Sequence, residues 1–301
     1  MFRNTLCPGL LSARTGQGRK WLCFVSLILG SLVPWHARAA TLSAIPAEDT
    51  FISEGSPPSN GTELIIGTQG TTSGSAKNRG LMRFDLAGIP SGATINSVSL
   101  QMTVLRAPNS LSINFNLHRL LRAWSEAGST WELRVPPDQT WAAPGGAEGT
   151  DYAAAVSGSA AIAGPAAYTF VSTPAMVSDV TAWVADPSAN HGWLMKQTDE
   201  SVAFGARRFA ASEALSGAPQ LTVDYTAAPP LRIESANISD GQFCLGFTAR
   251  AGKSYRVERR SDLVSGMWST VTTLPPAGTD RQETVCDPLG AGAGFYRVVE
   301  F

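Results

Sequence analysis

Through much of the chain, apolar side chains fall at every second position. In Ser97-Val98-Ser99-Leu100-Gln101-Met102-Thr103-Val104 they alternate with small polar residues, and Ser112-Ile113-Asn114-Phe115-Asn116-Leu117-His118 repeats the pattern. Residues 82–86 and 220–225 alternate in the same way. A period of two sends one face of a strand to a core and the other to water, as antiparallel sheets require. Asn60-Gly61, Ile89-Pro90-Ser91-Gly92 and Pro108-Asn109 punctuate these runs with turn residues. One short stretch, residues 179–184, has a helical look, with Asp179 or Ser178 placed to cap it. No long helical period is present, so a parallel βαβ fold is excluded. Many short strands at this spacing predict an all-β sandwich or barrel.

A second, smaller set of strands is expected over residues 231–238, 242–248, 254–260, 268–273, 283–286 and 295–299. Six or seven strands in so short a segment fit a small immunoglobulin- or fibronectin-like sandwich. The connector between the two sets is Ala227-Ala228-Pro229-Pro230, where paired prolines stiffen the chain and cannot donate to a ladder. The predicted organisation is a leader over 1–39, a sandwich over 40–226, a proline linker over 227–230 and a small sandwich over 231–301.

The leader is read from order and charge. Arg3, Arg14, Arg19 and Lys20 precede an apolar run from Trp21 to Val33, and Ala37-Arg38-Ala39 then offers small-x-small residues for cleavage. That run is shorter than the roughly 20 apolar residues of a membrane span, so a cleaved secretory leader and an extracellular mature protein starting at Ala40 are expected. Cleavage changes the composition. The mature chain keeps 18 Lys and Arg against 24 Asp and Glu, a net charge of −6. Such a chain is a poor partner for nucleic acid, which asks for a basic surface. Only Cys244 and Cys286 remain after cleavage, and an oxidising compartment favours a disulfide between them. It would close a loop of about 43 residues, worth roughly 4 kcal/mol in the chain-entropy account. Two buried free thiols are the alternative.

Six separated blocks resemble one family. Glu48-Asp49-Thr50-Phe51-Ile52, Leu81-Met82-Arg83-Phe84-Asp85-Leu86, and Trp124-Ser125-Glu126 with Thr130-Trp131 come first. Asp179-Val180-Thr181, His191-Gly192-Trp193-Leu194-Met195-Lys196 and Pro219-Gln220-Leu221-Thr222-Val223-Asp224-Tyr225 follow in order. Together they resemble the DNRLRE, or disaggregatase-related, domain, the sandwich that includes carbohydrate-binding module family 96. The resemblance implies a jelly-roll sandwich that binds extracellular polysaccharide without catalysis, on secreted bacterial or archaeal proteins. The later run Gly252-Lys253-Ser254-Tyr255-Arg256-Val257-Glu258, with Ser261-Asp262-Leu263, Trp268, Asp287-Pro288 and Phe295-Tyr296-Arg297-Val298, resembles a small β-sandwich appended to bacterial secreted proteins.

Candidate site residues follow from what a sugar needs: a flat apolar surface with polar groups at its rim. Trp124, Trp131 and Trp193 sit among the matched strands and read as core. Trp141 and Tyr152 lie in residues 135–165, a tract rich in Ala, Gly and Pro without a strand period, so both are carbohydrate-binding candidates and Trp141 is expected outside the main core. Lys77 and Arg79, which open the strand at 82–86, and Arg207 with Arg208 are candidates for an acidic group. Against an acidic glycan such as alginate stands the absence of any Lys or Arg between Ala40 and Ala76; a neutral glycan, or calcium bridging two acidic partners, suits the charge better. Asp49, with Glu48, Asn60 and Asp85, could supply hard oxygen ligands to a structural calcium, although no EF-hand spacing is present.

Catalytic signatures are few. No Gly-x-Ser-x-Gly elbow, His-Glu-x-x-His or phosphate loop occurs. His118 is expected to point outward from a strand and His191 to sit in a turn. Carboxylate pairs such as Glu126 with Glu132, or Glu148 with Asp151, leave a cryptic glycan hydrolase or lyase as the weakest reading. A structural or adhesion protein that binds another protein is the main rival to glycan binding.

Overall fold

The computed structural model describes residues 38–55, 63–69, 76–262, 264, 266–290 and 294–301. Residues 1–37 of the expected leader, and Asn60 of the expected calcium set, lie outside the described residues.

The first module is built on one curled antiparallel sheet. Its strands are β1 (Arg38–Ala44), β2 (Pro46–Ser53), β3 (Glu63–Thr68), β4 (Lys77–Phe84), β5 (Thr94–Arg106) and β6 (Ile113–Leu120). After a two-strand ribbon of β7 (Leu133–Val135) and β8 (Gln139–Thr140) come β9 (Tyr152–Ile162) and β10 (Ala167–Phe170). The helix α1 (Pro174–Ala185) then leads to β11 (Trp193–Gln197), β12 (Arg207–Ala210) and β13 (Gln220–Ala227). The order across the sheet is β1-β13-β5-β12-β3-β4-β11-β6-β9, with β10 added to β5 and β2 to β4. Curling brings the β13–β5 half over the β4–β11–β6 half. The core between them holds Val98, Leu100, Met102, Phe115, Leu117, Trp193, Phe209, Leu221 and Val223. Apart from Trp193 and Phe209, these are the alternating apolar positions of the sequence, and the protein is an all-β sandwich.

Three local expectations are corrected. The helix starts earlier than residue 179: Thr173 is its cap, its Oγ1 accepting from Met176 N at 3.0 Å, and Pro174 occupies the first turn, where a missing N–H costs nothing. Asp179 instead lies within the helix, where its Oδ2 accepts from Trp193 Nε1 at 2.9 Å and from Ser157 Oγ at 2.6 Å. The tract 135–165 is not one loop, because Tyr152–Ile162 forms β9, pairing with β6. Its small residues hide the alternation that larger ones would show.

The third correction matters most for function. The outer face of the β2–β4–β11–β6 layer is not open to water. Ile52, Leu81, Leu120 and Leu194 project from it and form a second apolar cluster with Trp124, Trp131, Trp141 and Tyr152. The chain between β6 and β9 folds back as a tryptophan-rich cap over this face. Gly145 makes the cap possible: it has φ +80°, and a Cβ there would collide with the Trp131 indole.

The later residues form two three-stranded antiparallel sheets. One is β14 (Ser235–Ser239), β15 (Gln242–Ala249) and β18 (Arg281–Pro288); the other is β17 (Ser269–Leu274), β16 (Tyr255–Arg260) and β19 (Phe295–Glu300). Leu245, Phe247, Tyr255 and Val257 fill their core. Cys244 and Cys286 are direct partners across β15 and β18 and form a disulfide. Among the described residues no helix is long and apolar enough to cross a membrane.

Candidate functional site

Four of the five residues expected to contact sugar are buried, so the structure corrects their roles. Trp141 does lie outside the main core, in the cap cluster, but it is only 4% exposed, and its Nε1 donates to Thr130 O at 2.9 Å. Tyr152, also 4% exposed, packs edge-on against His118. Neither ring shows a face to a ligand. Arg79 runs under the cap with its guanidinium 5.2 Å from the Trp131 ring centre. It makes a two-pronged pair with Glu200, Nε–Oε1 at 2.8 Å and Nη2–Oε2 at 2.7 Å, and its Nη1 donates to Gly145 O at 2.8 Å. The sequence therefore named three residues that do come together, Arg79, Trp141 and Tyr152, but as a buried buttress. His118 likewise turns inward, with Nδ1 at 2.9 Å from Ala153 O, and burial holds its pKa below the ordinary value.

Arg207 is buried as well, with no exposed surface. Its donors end on carbonyl oxygens, Ala163 O and Leu111 O at 2.6 Å and Phe204 O at 3.3 Å, and on Asn109 Oδ1 at 3.2 Å. Among the described residues no carboxylate reaches it. Its charge is met only by neutral dipoles, and burial lowers its pKa. This clamp holds the strand-to-strand connection in which Phe204 sits.

Phe204 is the residue that sequence reasoning missed. It is 44% exposed and has φ +54°, a left-handed conformation that a bulky residue adopts only when its surroundings impose it. Arg207 and Asn109, whose Nδ2 donates to Phe204 O at 3.3 Å, supply the imposition. The ring borders a groove of about 310 Å³ lined also by Ile65, Thr68, Pro108, Arg106 and Arg208. Arg106 and Arg208 are register partners across β5 and β12 and share one acid, Glu63, at 3.5 and 3.1 Å. Two guanidiniums thus share a single carboxylate at the groove. Lys77, half-buried and paired with Thr68, begins β4 at this same end. One signal could have revealed Phe204: in Thr198-Asp199-Glu200-Ser201-Val202-Ala203-Phe204-Gly205-Ala206 it is a lone aromatic with no strand period around it.

At the other end of the sandwich, Asp49 meets Glu126 and Glu213, with one carboxylate oxygen from each within 4.8 Å of the others. Asp49 Oδ2 accepts from Ser212 N at 2.8 Å, Oδ1 accepts from Ser212 Oγ at 2.9 Å, and Asp49 N donates to Glu126 Oε1 at 2.9 Å. Burial, with smaller contributions from Glu213 and Glu126, pushes the Asp49 carboxyl up to about 6 despite the Ser212 bonds. Three hard oxygens of this kind could hold a cation such as calcium. The other expected ligands are used elsewhere: Glu48 pairs with Arg83 at 2.8 Å, and Asp85 Oδ1 caps Ala87 N at 2.9 Å. Two of the carboxylates considered for glycan cleavage have other partners. Asp151 is buried and accepts from Ala142 N and Ala147 N, both at 2.8 Å, whereas Glu126 joins Asp49.

Residues 40–143 match the family model of carbohydrate-binding module family 96. The match covers 104 of the 301 residues. The matched residues carry one wall of the groove, with Ile65, Thr68 and Arg106, and two of the three clustered acids, Asp49 and Glu126. Phe204, Arg208 and Glu213 are contributed from beyond them, by later parts of the same sandwich. No curated protein matches the chain.

Proposed function

We propose that this is a secreted, non-catalytic polysaccharide-binding protein and that its first module holds an acidic glycan chain in the Phe204 groove. The observation that carries this reading is an exposed aromatic ring fixed beside an arginine pair. The ring offers a flat surface to the apolar face of a pyranose, and guanidinium forks match a carboxylate or sulfate on the next unit. The family 96 match supports carbohydrate as the ligand. The net charge of −6 argued for a neutral glycan, but a ligand meets the local field. In the groove that field comes from Arg106 and Arg208, which share Glu63.

Affinity electrophoresis of the protein without its leader tests this, in gels holding either a polyuronate or a neutral β-glucan, with calcium and with chelator. Retardation by the polyuronate that falls at least tenfold in Phe204→Ala, about 1.4 kcal/mol, is the expected result. The effect should weaken with added salt, since exposed charge pairs are screened. No retardation across a broad glycan panel would overturn the proposal in favour of a protein-binding, adhesive role.

A further inference from the structure

We propose that a cleft at the opposite end of β4 is a second carbohydrate subsite, which takes a neutral, hydroxyl-rich sugar residue. The cleft has a volume of about 310 Å³, and Glu48, Arg83, Trp124, Ser188, Asn190 and His191 form its walls. That volume is at the lower end of the range for small-ligand sites. Its electrostatics differ from those of the groove. Glu48 and Arg83 neutralise each other at 2.8 Å, and each side chain is still about one-third exposed, so both stay within reach of a ligand while the site as a whole carries no net charge. The His191 imidazole is held below its ordinary pKa by burial and by Arg83 and Arg134, which leaves it neutral at pH 7 with one donor and one acceptor.

The remaining walls complete an alternation of donors and acceptors. Ser188 Oγ donates to Asp186 Oδ1 at 2.6 Å, so its lone pairs remain. Asn190 Nδ2 donates to Phe84 O at 2.9 Å and its Oδ1 is buried, so this side chain is fixed as part of the wall. Trp124 is fixed as an apolar wall by its Nε1 bond to His191 O at 2.8 Å. A pyranose presents the complement: adjacent hydroxyls that each donate and accept. Groove and cleft lie at opposite ends of β4, from Lys77 to Arg83, roughly 20 Å apart at the rise of a strand. One long chain, or two chains, could occupy both, and linked occupancy would raise avidity without new contacts.

The inference leans on the carbohydrate reading only for the class of ligand, and the groove and cleft variants separate the two. The test is a calorimetric and NMR titration of the intact protein with methyl glycosides of glucose, galactose, mannose and xylose. Saturable binding of at least one glycoside is expected. Ala123 also lines the cleft; His191→Ala and the cleft-filling Ala123→Trp should weaken binding at least tenfold, while Phe204→Ala leaves it unchanged. Should Ala123→Trp fail to fold, shown by a lost thermal transition, His191→Ala and Glu48→Gln decide. The absence of saturable binding in folded protein, or binding that Phe204→Ala removes and the cleft variants leave intact, would overturn the assignment.

Discussion

Two places in the first module combine the same three ingredients, an arginine, an aromatic ring and a glutamate, to opposite ends. Under the cap, Arg79 lies against Trp131 and pairs with Glu200 at 2.7 Å, both side chains about nine-tenths buried. At the groove, Arg208 pairs with Glu63 at 3.1 Å beside Phe204, and the arginine side chain is nearly half exposed. The ingredients do not decide the role; what covers them does. In the first case the 121–151 segment folds over the sheet and excludes solvent, so the pair holds the cap down. In the second no described element lies over the ring, and the arginine stays open to solvent.

The comparison can be broken at its buried side first. Glu200→Leu leaves the Arg79 guanidinium without its counter-charge under the cap and should cost about 3–5 kcal/mol in chemical denaturation, with glycan retention by the folded fraction unchanged. A small stability change with lost binding would mean that Arg79 faces the ligand after all. The next largest effect concerns Asp49, whose folded pKa of about 6 lies above its ordinary value of 3.8. The folded protein then binds the proton more tightly than the unfolded chain does. This stabilisation is complete below about pH 4 and is lost as pH rises through 6, on the order of 3 kcal/mol. Denaturation midpoints across that window should show the slope, and Asp49→Asn should flatten it. Calcium that flattens the slope in the wild type would identify the three acids as a cation site.

The exposed side should respond in the reverse sense. Phe204→Gly relieves a left-handed residue and is expected to stabilise the protein by about 0.5–1 kcal/mol, while polyuronate retention falls at least tenfold. A stability gain without a binding loss would remove the ring from the site. The smallest effect is expected from Arg208→Gln. Stability should change by less than about 0.5 kcal/mol, with a few-fold loss of retention and a shallower dependence on salt. Equal weakening by Arg208→Gln at low and high salt would argue against an ionic contact.

Much of the fold was legible because one face of most strands is buried and the other is not, as at Val98, Leu100, Met102 and Val104. The Cys244–Cys286 bridge was legible from chemistry, since two cysteines remained and the compartment was expected to be oxidising. The site was less legible, for a physical reason. An aromatic in a segment without period is either uncovered or covered by something distant in sequence, and local pattern cannot tell these apart. Trp141 met the criterion and proved covered; Phe204 met it equally and proved open. Asp49 was recognised as a ligand type, but its companions Glu126 and Glu213 stand 77 and 164 positions away and are joined only by the curl of the sheet.

Pairing of β1 with β13 has a mechanical consequence. From Ala40 opposite Tyr225, five successive pairs run to Ala44 opposite Leu221, so the chain enters and leaves the sandwich side by side at one end of an antiparallel ladder. A load applied between entry and exit acts across that ladder and meets its hydrogen bonds one rung at a time. They open in sequence, as a zipper does, where a shearing load would engage all five pairs together. The first strand should therefore peel away at low tension while the groove, which β1 does not line, keeps its shape.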